Sequence, residues 1–95
     1  MQDVTVLIRD PDQQYEGLRT SLGLLLHATS VNMVVLGHQI QEMSEEYEDN
    51  MGFLDEMEGE RFSDNPDNVE KYGFRPIDRE GVAELVKKSP VVIPF

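Results

Sequence analysis

Between Val4 and Gly37 the chain reads VTVLIRDPDQQYEGLRTSLGLLLHATSVNMVVLG, and this stretch decides the fold. Val4-Thr5-Val6-Leu7-Ile8 is rich in β-branched residues and apolar at nearly every position, the pattern of a strand covered on both faces. Asp10-Pro11-Asp12 interrupts it. From Gln14 to His27 the residues Tyr15, Leu18, Leu22, Leu25 and Leu26 recur at intervals of three and four, which predicts an amphipathic helix. Gly17 and Gly23 each cost such a helix about 1 kcal/mol relative to Ala, and close packing against a sheet would explain both. Val31 to Leu36 is a second buried strand, ending at Gly37-His38. Strand, helix and strand in this order form a βαβ unit, with parallel strands and a right-handed crossover.

Downstream the alternation continues. Ser44 can cap a helix running to about Glu58, with Tyr47, Met51, Leu54 and Met57 on its apolar face and Gly59 placed to stop it. Glu60-Arg61-Phe62-Ser63 reads as a short strand. Asn65-Pro66 reads as an N-cap followed by proline at the first helical position, opening a short helix that closes at Gly73. Phe74-Arg75-Pro76-Ile77 suits an edge strand, where proline is tolerated. Asp78 can cap a last helix, Arg79 to Lys88, with Val82, Leu85 and Val86 on its apolar face. Val91-Val92-Ile93 then reads as a final buried strand. The whole predicts one three-layer α/β domain over residues 1–95.

Composition narrows the function. The 95 residues carry eight Lys plus Arg against nineteen Asp plus Glu, a net charge of −11. Nucleic acids and anionic membranes are disfavoured partners, since both are bound through Lys and Arg. Cysteine is absent, which removes disulfides, Cys-ligated zinc, iron–sulfur clusters and thiol chemistry. No apolar stretch approaches the roughly 20 residues of a membrane span, and no signal peptide is evident, so a cytoplasmic location is expected. Nine of the nineteen acids lie between Glu42 and Glu60, so the charge belongs largely to one helix. Glu45, Glu48, Asp49 and Glu56 on that helix read either as a solvated face or as a docking surface for a basic partner. Phe53 falls outside the apolar stripe and is a candidate contact if exposed. Met33, Met43, Met51 and Met57 could join it in an adaptable patch, although methionines at helical spacing are commonly core.

Gly17 to Leu26, running into Val31 to Gly37, resembles the first βαβ unit of the DsrE/DsrF-like sulfur-relay family, and Arg79 to Phe95 resembles that family's last helix and valine-rich strand. The resemblance covers about half the chain and rests on hydrophobicity and small residues. It implies a small flavodoxin-like, three-layer α/β/α fold with a mostly parallel central sheet of about five strands, assembled as a homo-oligomer with trimer or hexamer favoured. In active members a cysteine after the third strand carries sulfur as a persulfide. Here the corresponding stretch, Phe62-Ser63-Asp64-Asn65-Pro66-Asp67, has no thiol, and a serine hydroxyl cannot take that role. The resemblance therefore implies a cysteine-free partner or accessory subunit with no catalytic residue and no cofactor.

In open α/β sheets ligands bind beyond the carboxyl ends of the strands. Those positions hold Asp10 and Asp12 after strand one, His38 and Gln39 after strand two, and Ser63, Asp64 and Asn65 after strand three. One reading is a small polar pocket, with Asp10, Asp12, Asp64 and His38 able to take a divalent cation. The other is that Asp10, Asp12 and Asn65 form turns and helix caps beside Pro11 and Pro66. Acids after strands one and three also resemble phosphoacceptor receiver domains, but no lysine follows the final strand in this sequence. Neither G-x-G-x-x-G nor a P-loop pattern occurs. His27 suits the negative end of the first helix, whereas His38 lies at the ligand-binding edge.

Overall fold

The computed structural model describes residues 3–25, 30–40 and 44–95. Leu26, His27, Glu42 and Met43, and the roles assigned to them above, lie outside the described residues. The chain forms β1 (Asp3–Ile8), a 3-10 turn (Pro11–Gln13), α1 (Gln14–Leu24), β2 (Ser30–Val35), α2 (Glu45–Glu56), β3 (Glu60–Ser63), α3 (Pro66–Tyr72), β4 (Arg75–Pro76), α4 (Arg79–Lys88) and β5 (Val91–Pro94). The five strands make one sheet in the order β4-β3-β2-β1-β5, and every pair is parallel.

The caps that sequence chemistry predicts are formed. Ser44 Oγ accepts from the Tyr47 N–H at 3.0 Å, and Asp78 Oδ1 from the Gly81 N–H at 2.8 Å. Asn65 Oδ1 accepts from the Asp67 N–H at 2.9 Å with Pro66 at the first helical position, and Gly73 closes α3 in the left-handed region at φ 73°. These contacts satisfy backbone groups that a helix end otherwise leaves unpaired.

Alternation along the strands sorts the two faces. Val4, Val6 and Ile8 of β1 and Val31, Met33 and Val35 of β2 pack with Leu18 of α1, Tyr47, Met51 and Leu54 of α2, and Phe74 in one core cluster. The three crossovers from β1 to β4 run in one direction along the sheet and put α1, α2 and α3 on this face, α3 through Val69 and Tyr72. Thr5 points the other way, where its hydroxyl hydrogen-bonds Ser89 Oγ at 2.5 Å beside α4. The return from β4 to β5 thus carries α4 across the opposite face and completes three layers. The strand order differs from the 2-1-3-4-5 of flavodoxin itself, since the reversal here falls between β1 and β5.

Several local expectations are corrected. Val91-Val92-Ile93 is half-buried rather than buried, because β5 is an edge strand with β1 as its one neighbour. The apolar stripe of α4 is likewise lightly covered: none of its residues is buried and Val86 is exposed. Met57 lies past the end of α2 and is exposed, and the left-handed residue there is Glu58 at φ 67°, not Gly59. Gly59 is required instead by close approach, since a Cβ on it would stand 2.8 Å from Leu54 Cγ.

The two glycines of α1 separate in the same way. A Cβ on Gly17 would sit 2.5 Å from Cγ1 of the fully buried Ile8, whereas one on Gly23 would meet nothing within 4 Å. Gly17→Ala is therefore expected to destabilise by about 1–2 kcal/mol, overpacking outweighing the gain in helix propensity. Gly23→Ala should stabilise by about 0.5–1 kcal/mol. Urea midpoints at unchanged slope measure both, and equal effects of the two substitutions would contradict the packing difference.

Candidate functional site

The loop leaving β2 is pinned from three directions. Gly37, at φ 80°, donates its N–H to Asp64 Oδ1 at 2.9 Å. Asn68, the third residue of α3 and fully buried, accepts from the Ile40 N–H at 2.9 Å and donates to the His38 carbonyl at 3.0 Å and Ser63 Oγ at 3.1 Å. Tyr72 adds a hydroxyl bond to the Ile40 carbonyl at 3.3 Å. A loop with little regular structure is thereby held at a defined height above the sheet.

So held, His38 faces the start of α1. Its Nδ1 lies 3.1 Å from the Leu36 carbonyl oxygen and its Nε2 2.8 Å from Gln14 Oε1. The Gln14 amide in turn donates to the Tyr47 hydroxyl. Gln14 and Tyr47 are both buried, and burial pushes the Tyr47 hydroxyl up to about 12, against smaller opposing effects of Gln14 and Arg61. Tyr47 therefore keeps its proton at neutral pH.

These residues line a cleft of about 480 Å³ between the first turns of α1 and α2. Pro11, Ile40, Tyr15 and Tyr47 supply apolar and aromatic wall; Asp12, Gln14, His38, Gln39 and Ser44 supply polar groups, and among the described residues no Lys or Arg lines it. Arg19 stacks 5.8 Å from the centroid of Tyr15, whose hydroxyl bonds Glu46 and is raised chiefly by that hydrogen bond.

Of the residues proposed for a strand-end pocket, the structure brings together Asp12, His38 and Gln39. Asp10 accepts from the Asp12 N–H at 2.9 Å as cap of the 3-10 turn. Ser63 is fully buried and holds the Asn65 N–H at 3.1 Å, while Asn65 caps α3. Asp64 lines a separate depression of about 380 Å³ with Leu36, Asp78, Arg79, Val82 and Ala83. Among the described residues no three His, Asp or Glu side chains converge to hold a metal ion, so the cation reading of Asp10, Asp12 and Asp64 finds no ligand set there. Glu45, Glu48, Asp49, Phe53 and Glu56 are all exposed on α2, Phe53 at 56%.

Gln14, Tyr15, Tyr47 and Asn68 were not singled out from sequence as site residues. Tyr47 carried a usable signal: a tyrosine in an apolar stripe needs a partner for its hydroxyl, which points to a polar group facing it. Among the described residues no helix is long and apolar enough to cross a membrane. No protein-family model, curated protein or solved structure matches the chain.

Proposed function

We propose that this domain is a small-ligand binding module and that the cleft between the β1 and β2 ends is its site. The observation that carries the reading is the convergence of an imidazole, a carboxylate and two tyrosine rings on one concavity of about 480 Å³. That volume falls within the roughly 300–1,000 Å³ usual for small-molecule sites. With Asp12 in the lining and no Lys or Arg among the described lining residues, an uncharged or cationic molecule with an apolar body suits it better than an anion.

Thermal-shift screening of amines, nucleosides, small anions and divalent metals tests the proposal. A ligand at ten times its Kd adds about 1.4 kcal/mol, which raises the Tm of a domain this size by several degrees. The expected result is a rise with uncharged or cationic organic molecules that is lost in Asp12→Ala and His38→Ala. No rise with any compound, or a rise indifferent to both substitutions, would overturn it.

A second reading is a cytoplasmic DsrE/DsrF-like accessory subunit that assembles with copies of itself or a basic partner in sulfur metabolism. It is supported by Phe53 and Met57, 56% and 42% exposed one turn apart beside Asp49 and Glu56. Native mass spectrometry of the chain and of Phe53→Ser addresses it: a trimer or hexamer that dissociates on substitution supports it, and a strict monomer opposes it.

A further inference from the structure

Both ring nitrogens of His38 face oxygen. A backbone carbonyl can only accept, so the contact with Leu36 assigns a proton to Nδ1. Nε2 then has two consistent arrangements. With a second proton it donates to Gln14 Oε1, and the Gln14 NH2 is left to donate to the Tyr47 hydroxyl oxygen, as the structure has it. Without that proton Nε2 is an acceptor, and facing Oε1 would set two lone pairs against each other. Rotating the Gln14 amide by half a turn removes the conflict: the NH2 donates to Nε2, and the Tyr47 hydroxyl donates to Oε1.

We propose that the His38–Gln14–Tyr47 chain is a protonation-coupled relay that sets whether Tyr47 offers the cleft a hydrogen-bond donor or an acceptor. When a proton from solvent charges Nε2, Tyr47 receives from Gln14 and its own hydrogen is free for a carbonyl or carboxamide in the cleft. When that proton returns to solvent, Tyr47 spends its hydrogen on Gln14 and presents oxygen lone pairs, suited to a hydroxyl or amine. No other bond changes, and Tyr47 keeps its proton in both states.

The surroundings suit such a device. Gln14 and Tyr47 are buried, so water does not readily substitute for either partner. Among the described residues the titratable and charged groups around the relay are Asp12 from the 3-10 turn, Tyr15 from α1 with Glu46 bonded to its hydroxyl, Tyr47 from α2, Asp64, which holds the Gly37 N–H from the loop after β3, and Arg61 of β3, whose positive charge acts on Tyr47. Asn68 of α3 meets the His38 carbonyl with an uncharged amide. Among the described residues no Lys or Arg lines the cleft itself, and Arg61 acts on Tyr47 from outside it.

The relay itself can be tested without a ligand, although its consequence for binding rests on the cleft being a binding site. Long-range ¹H–¹⁵N spectra of the full labelled chain report the His38 tautomer, with His38→Asn separating its signals from those of His27. The neutral ring is expected to carry its proton on Nδ1. The Gln14 side-chain amide and the Tyr47 Cζ resonance are expected to titrate with the His38 midpoint, and in Gln14→Met the Tyr47 response should vanish while His38 still titrates. An Nε2–H tautomer, a Tyr47 resonance that ignores His38, or an equal response in Gln14→Met would each overturn the relay, and the wild-type spectra decide even if Gln14→Met fails to fold. A screen without hits would remove the binding reading and leave these spectra unaffected. With a ligand in hand, carbonyl-bearing compounds should bind more tightly below the midpoint than above it, and Tyr47→Phe should abolish that difference.

Discussion

Asn68→Ala is expected to lower stability by about 3–5 kcal/mol. The side chain is fully buried and makes three hydrogen bonds, to the Ile40 N–H, the His38 carbonyl and Ser63 Oγ. Alanine strands the Ile40 N–H and the His38 carbonyl, each at a cost of about 1–3 kcal/mol when water cannot reach it, while Ser63 Oγ keeps the Asn65 N–H. Domains of this size are stable by only about 5–15 kcal/mol, so the variant should sit near the edge of folding. The loss is also local, because the same amide holds residues 38 and 40 over the sheet, and ligand response should fall with stability. Asn68→Asp separates the two donor bonds from the accepted one. It retains an acceptor for Ile40 but turns carboxylate oxygen toward the His38 carbonyl, so its deficit relative to wild type should shrink toward acid pH, where a protonated carboxyl can donate again. Urea denaturation at several pH values measures this. A deficit below about 1 kcal/mol for Asn68→Ala would mean that the loop is held by other contacts.

The contrast between Asn68 and the helix caps explains what could be read in advance. Asn65, Ser44 and Asp78 act on backbone groups two or three residues away, so their chemistry is local and visible as a spacing. The buried strands Val4–Ile8 and Val31–Val35 are visible for a similar reason, because β-branched runs covered on both faces carry the pattern within themselves. Gln14, His38 and Tyr47 are partners across 24 and 33 residues, and nothing near any of them encodes the distance closed by the crossover of α1 and the placement of α2. Topology alone brought Asp12, His38 and Gln39 to one edge; which neighbouring acids turned inward and which capped a helix depended on tertiary placement. Gly23 and Met57 show the same limit for packing. Each fits an apolar or close-packed pattern by spacing, yet both are exposed, because α1 faces solvent at Gly23 and α2 ends before Met57.

Arg61→Ala is expected to cost about 2–4 kcal/mol, and most of that loss should come from contacts other than its ion pair. The side chain rises from β3 at 11% exposure, and its guanidinium makes two hydrogen bonds of 2.9 Å to Asp55. Asp55 is 48% exposed, however, so water screens the pair and recovers the carboxylate once arginine is gone; that contribution is at most about 1 kcal/mol. The remaining contacts are less replaceable. Nη1 donates at 2.8 Å to the Tyr72 carbonyl at the end of α3, and the guanidinium lies 4.9 Å from the centroid of the buried Phe74 ring. A charged hydrogen bond is worth about 1.5–3 kcal/mol, and a partly desolvated cation–π contact about 1–2 kcal/mol. Asp55→Ala should therefore cost about 1 kcal/mol and become milder in high salt, whereas Arg61→Ala should cost more and respond weakly to salt. Arg61→Lys should fall between, since an ammonium keeps the charge but cannot span Asp55 and Tyr72 with a planar fork. Equal losses for Asp55→Ala and Arg61→Ala would instead assign the stability of this edge to the ion pair. The unequal outcome would place Arg61 as the post that fixes the end of α3 and, through Asn68 on the same helix, the height of the His38 loop.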